Sequence, residues 1–115
     1  MALTRDYKQT IQERAHRDPD FAAHLMNEAV TAFLAGEPDV ARLILRELVN
    51  STIGFEFLAK TLGRSSKSIH RMLSPKGNPT MDNLTGIFSI LQEKLDFNIE
   101  VKLSTPNKRL KQSAL

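Results

Sequence analysis

Proline and glycine cut this chain at regular intervals, and between the cuts the apolar residues recur every three to four positions. The marks are Asp18-Pro19, Gly36-Glu37-Pro38, Gly54, Gly63 and the loop Ser74 to Pro79. A chain punctuated in this way is restricted to short helices that bury one stripe each. A weak first helix is expected from Asp6 to Arg17, where only Tyr7, Ile11 and Ala15 keep the spacing. Asp18 then supplies a capping oxygen ahead of Pro19, which suits the first helical position. Phe21, Leu25, Ala29 and Phe33, flanked by Ala22, Met26, Val30 and Leu34, are the expected core stripe of the helix that Gly36 ends. Pro38 opens the next, with Val40, Leu43, Ile44 and Leu48 on one face. Phe55, Leu58 and Leu62 mark a short helix between Gly54 and Gly63, and another is expected from Ser66 to Leu73. Thr80 caps a last helix whose core positions are Leu84, Ile87, Phe88, Leu91 and Leu95.

After Asp96 the period drops to two. Phe97, Ile99, Val101 and Leu103 alternate with Asn98, Glu100 and Lys102, which is the pattern of a strand. One strand cannot satisfy its own backbone groups, so these four apolar residues are expected to pair with a second copy of the chain or with a partner protein. The expected architecture is all-α: five to six helices plus one short C-terminal β-strand paired across a dimer. Its parts are an N-terminal extension over 1–17, a domain over 18–103 and a basic flexible tail over 104–115.

A length of 115 residues matches one domain. The absence of cysteine excludes a disulfide scaffold, a thiolate zinc site and a cysteine nucleophile. No apolar run is long enough for a membrane span and the N-terminus lacks a secretory pattern, so a cytoplasmic protein is expected. The net charge of +3 is small, but it is unevenly spread. Residues 51–80 hold Lys60, Arg64, Lys67, Arg71 and Lys76 against Glu56 alone, a local field that attracts polyanions, although a solvated basic face has the same composition.

Residues 55–74 carry this charge on a recognisable frame. Leu58 and Leu62 anchor a first helix, Ala59 is small enough for a second helix to cross close by, and Gly63 tolerates a left-handed turn. Ser65 can cap the second helix, whose apolar side is Ile69, Met72 and Leu73. Lys67 and Arg71 fall on the opposite side, with His70 at its edge. If the pair works as a helix-turn-helix, Ser66, Lys67, Ser68 and Arg71 face base edges, Lys60, Arg64, Lys76 and Asn78 suit phosphates, and Ser65 and His70 complete the expected DNA-binding set.

Leu58 to Leu95 resembles the helix-turn-helix domain of the Xre, or lambda-repressor-like, class. Met72-Leu73-Ser74-Pro75-Lys76-Gly77-Asn78-Pro79-Thr80, followed by Asn83-Leu84, is similar to the HigA-like antidote proteins of bacterial addiction modules. The resemblance runs from about residue 21 to 103. It implies a homodimeric repressor that binds an inverted repeat in double-stranded DNA, neutralises a RelE- or HigB-like toxin and controls its own operon at the nucleoid. Arg64 departs from the family pattern, which has an apolar residue there.

Enzymatic readings find little support in the residues. His16, His24 and His70 show no metal-ligand spacing, and Asp18 and Asp20 sit where capping explains them. The glycines occur singly, so no phosphate-cradling loop is expected, and neither a metal nor a cofactor is implied. Two other readings remain open at this level. One is a stand-alone or phage-type repressor without a toxin, and the other is a protein-interaction module that no longer reads DNA.

Overall fold

The computed structural model describes residues 18–106. Among them the chain is all-helical, with α1 at Pro19–Leu34, α2 at Pro38–Ser51, α3 at Phe55–Leu62, α4 at Ser66–Met72 and α5 at Met81–Leu95. The weak helix expected over Asp6 to Arg17 and the tail beyond Pro106 lie outside the described residues.

Each helix end follows from a side chain or a turn. Asp18 Oδ1 accepts hydrogen bonds from the backbone N–H groups of Asp20 at 3.0 Å and Phe21 at 3.3 Å, and Pro19 occupies the first turn. Asp20 N–H, which the α-helix leaves without an internal partner, is satisfied in this way, and Phe21 N–H is shared with Asp18 O at 3.0 Å. Asp18→Ala should lower the unfolding free energy by about 1 kcal/mol, read as a shifted urea midpoint at unchanged slope. An unchanged midpoint would mean that water replaces both bonds at no cost.

At the other end of α1, Gly36 takes a left-handed conformation, and Glu37 N–H donates to Ala32 O at 2.9 Å. This closing turn lets three residues reverse the chain, so that α1 and α2 pack side by side. Their buried residues are small: Ala22, Ala29 and Ala32 on α1, and Ala41 on α2. Small side chains allow close approach; of the expected stripes Ala22, Met26 and Ala29 on α1 and Leu48 on α2 are buried, while several of the larger residues beside them are not. On α1 the buried line is Ala22, Met26, Ala29 and Ala32, while Phe33 is 41% and Leu34 60% exposed. On α2 it is Ala41, Leu45, Leu48 and Val49, with Val40 at the surface and Leu43 58% exposed.

The remaining core comes from the C-terminal helices. Leu58, Ile69, Leu73, Ile87 and Leu91 join Met26, Leu45 and Leu48 in one fully buried cluster. Thr80 Oγ1 accepts from Asn83 N–H at 3.1 Å and starts α5. Gly86 brings α5 close to α3, since a Cβ there would stand 2.6 Å from Leu62 Cδ2. Lys94 lies over the Phe57 ring, 4.8 Å from its centroid, and covers part of an apolar side chain that reaches the surface.

The expected C-terminal strand is not present as a ladder, because no strand occurs among the described residues for it to pair with. Asp96 adopts the left-handed conformation after α5, and residues 97–105 then run without helix or turn. Phe97 and Ile99 pack against the core, whereas Val101 is 64% and Leu103 92% exposed. Gln92 supplies the bonds that a neighbouring strand would make. Its backbone carbonyl accepts from Phe97 N–H at 3.1 Å, and its Oε1 accepts from Ile99 N–H at 2.7 Å.

Candidate nucleic-acid interface

The charge-bearing third of the sequence folds into α3, a three-residue turn and α4. Gly63 sits at φ 70 and ψ 33, a left-handed geometry that a side chain would strain. Arg64 N–H donates to Ala59 O at 2.9 Å, closing the helix end. Arg64 itself points to solvent, so its departure from an apolar residue leaves nothing buried without a partner. Ser65 Oγ accepts from Ser68 N–H at 3.1 Å and caps α4. That oxygen holds the helix start, which makes the cap the assigned role of Ser65.

The α4 helix has seven residues, about 10 Å of rise. Ile69 and the following Leu73 are buried at 0% and 1% exposure and fix one side of it to the core. Lys67, His70 and Arg71 are exposed, and Ser66 and Ser68 are half-buried at its flanks. His70 differs from the two cations beside it. Its ring stacks on buried Phe55 with centroids 3.9 Å apart and planes at 16°, so the imidazole is held flat across the start of α3.

Lys60, Arg64 and Lys76 are exposed on the surrounding elements, and so is Asn78. Among the described residues none of Lys60, Arg64, Lys67, Arg71 and Lys76 forms an ion pair; the pair found there joins His24 and Glu28 at 2.9 Å on α1. None of these five cations is therefore neutralised by a carboxylate in contact with it.

The loop that carries Lys76 and Asn78 is rigidly attached to the end of α4. Ser74 Oγ donates to Arg71 O at 2.7 Å, and Gly77 N–H donates to Ser74 O at 2.9 Å. Gly77 is buried and passes directly beneath α4: a Cβ there would lie 2.1 Å from Met72 O and 2.5 Å from Arg71 O. From the other side Arg42 of α2 donates through Nε to Ser74 O at 3.1 Å and through Nη2 to Pro75 O at 2.9 Å. Sequence reading missed this clamp. Its partners are 32 and 33 residues away, and nothing near Arg42 in the chain sets it apart from an ordinary surface arginine.

Among the described residues no group of three or more His, Cys, Asp or Glu side chains gathers into a possible metal site. No described helix is long and apolar enough to cross a membrane. The chain matches no protein-family model, no curated protein and no solved structure.

Proposed function

We propose that this protein is a homodimeric, sequence-specific DNA-binding repressor in which α4 enters the major groove. The observation that carries this reading is the division of α4: one side is completely buried, and the opposite side presents unpaired Lys67 and Arg71 to solvent. A helix anchored in this way can insert into a groove about 12 Å wide without rearrangement, and its guanidinium can donate to guanine O6 and N7. Ser66 and Ser68 lie beside these cations. Lys60, Arg64, Lys76 and Asn78 are placed to contact phosphates on either side, which sets register and makes affinity depend on salt. Two copies would present two α4 helices about 34 Å apart, one duplex turn, on an inverted repeat overlapping a promoter. Repression is then steric.

The resemblance of residues 72–80 and 83–84 to HigA-like antidote proteins extends the proposal to neutralisation of a RelE- or HigB-like toxin. Co-expression with the product of the adjacent gene tests that part, because co-purification is expected and its absence leaves a stand-alone repressor.

DNA binding is tested by electrophoretic shift on the DNA upstream of the gene. Arg71→Ala should cost about 2 kcal/mol on the operator and much less on random duplex, because it removes base readout. Lys60→Ala should weaken both alike and lower the dependence on salt by about one phosphate contact. Equal losses on both duplexes for Arg71→Ala would remove α4 from the groove. No shift with the unaltered protein would favour the interaction module.

A further inference from the structure

The segment after α5 offers an open backbone edge together with a charge pattern that selects its own pairing. In an extended chain the N–H and C=O of one residue point to one edge, and those of the next residue to the other. Phe97 and Ile99 direct their N–H groups at Gln92 of α5. The even-numbered residues Asn98, Glu100 and Lys102 therefore direct theirs at the opposite edge. Beyond Ile99 the apolar side continues through Val101 and Leu103, which the chain leaves exposed at 64% and 92%.

We infer that this edge pairs with the same edge of a second copy, antiparallel, with Val101 facing Val101 at the two-fold axis. The register follows from three conditions. The two apolar sides must coincide, so only even slips are allowed. Even residues must form the hydrogen-bonded pairs, because the odd N–H groups at 97 and 99 are already used. Like charges must not meet, and opposite charges must. A slip of one step in one direction sets Glu100 against Glu100, and in the other Lys102 against Lys102; a slip of two steps sets Glu100 against Asn98 or Lys102 against Ser104 and forms no opposite-charge pair within the extended run. The register centred on Val101 instead sets each Glu100 opposite Lys102 of the second copy, and Ile99 opposite Leu103. That leucine is brought beside a groove of about 270 Å³ between residues 97–100 and Ala23, Met26, Asn27 and Val30 of α1. The inference specifies the homodimer of the proposed function, and its test uses no DNA, so either can fail while the other stands.

The chain has no cysteine, which makes single-cysteine crosslinking clean. Val101→Cys is expected to form a covalent dimer on mild oxidation, since non-hydrogen-bonded antiparallel partners have Cα atoms about 4.5 Å apart, within disulfide reach. Leu103→Cys, though more exposed, should crosslink poorly because it faces Ile99. In sedimentation, Glu100→Lys and Lys102→Glu should each weaken the dimer about tenfold, while the double exchange should restore it. These positions are exposed, so folding is not at stake. The inference is overturned if Leu103→Cys, Glu100→Cys or Lys102→Cys crosslinks as readily as Val101→Cys, or if the double exchange brings no recovery.

Discussion

Leu58→Ala is expected to lower the unfolding free energy by about 3–4 kcal/mol, the largest loss of any single substitution considered. Leu58 is fully buried on α3, in the cluster that also holds Leu48, Ile69 and Ile87. Removing its isopropyl group forfeits the transfer energy of three carbons and leaves a cavity that the surrounding helices fill incompletely. For a domain of about this size the melting temperature should drop by roughly 15 °C or more. Chemical denaturation should show a reduced midpoint at unchanged slope. A loss below about 1 kcal/mol would show that the core can collapse around the site, contrary to the close packing that interiors normally show. DNA affinity of the folded fraction should fall as well, because α3 and α4 share this cluster and α4 relies on it for its position.

The second large effect is expected from Gly77→Ala, which should destabilise the protein by about 3 kcal/mol. The added Cβ would stand 2.1 Å from Met72 O and 2.5 Å from Arg71 O, and these are backbone atoms at the end of α4 that cannot rotate away. Relief requires the loop to lift or the last turn of α4 to shift, and the bonds from Arg42 to Ser74 O and Pro75 O oppose both movements. Gly86→Ala is the informative comparison. Its Cβ would also come close, 2.6 Å from Leu62 Cδ2, but that atom is the end of a flexible side chain. The gain in helix propensity, about 1 kcal/mol, opposes the cost of moving it. The two variants should therefore differ by about 2 kcal/mol or more in urea denaturation. If Gly77→Ala were tolerated as well as Gly86→Ala, the loop would not be seated beneath α4 as described.

Much of the candidate interface could be read from local chemistry. Gly63 at a left-handed turn, Ser65 as a cap, and the opposition of Ile69 and Leu73 to Lys67 and Arg71 all depend on residues within one or two helical turns of each other. Such patterns survive folding because the helical repeat fixes which side chains share a face. The choice of buried stripe on α1 and α2 did not follow from the repeat alone. Both helices are apolar around more than half their circumference, so the face that turns inward depends on how closely the alanines allow the pair to approach. Leu43 and Leu34 belong to apolar patterns and are nevertheless exposed. The stacking of His70 on Phe55 joins residues 15 apart in the chain, and its sequence signal is no stronger than that of any His and Phe.

The closing segment shows the same division. Its alternation of apolar and polar residues is plain in the sequence, but alternation states only that two sides differ and does not state what lies along either edge. Gln92, which takes two N–H groups of this segment, is indistinguishable in sequence from a surface glutamine of α5. Once those bonds are known, the free edge and the order Glu100, Val101, Lys102 restrict pairing with a second copy to one register.

The sequence by itself determined the number and order of the described helices, their caps and turns, and the concentration of positive charge on residues 60–76, because these depend on neighbours in the chain. Only the tertiary structure decided which stripes are buried, that Arg42 clamps the loop after α4, and which edge of residues 97–103 remains open. Those outcomes depend on groups far apart in the chain, and their meeting is set by close packing of the whole core, which no local pattern encodes.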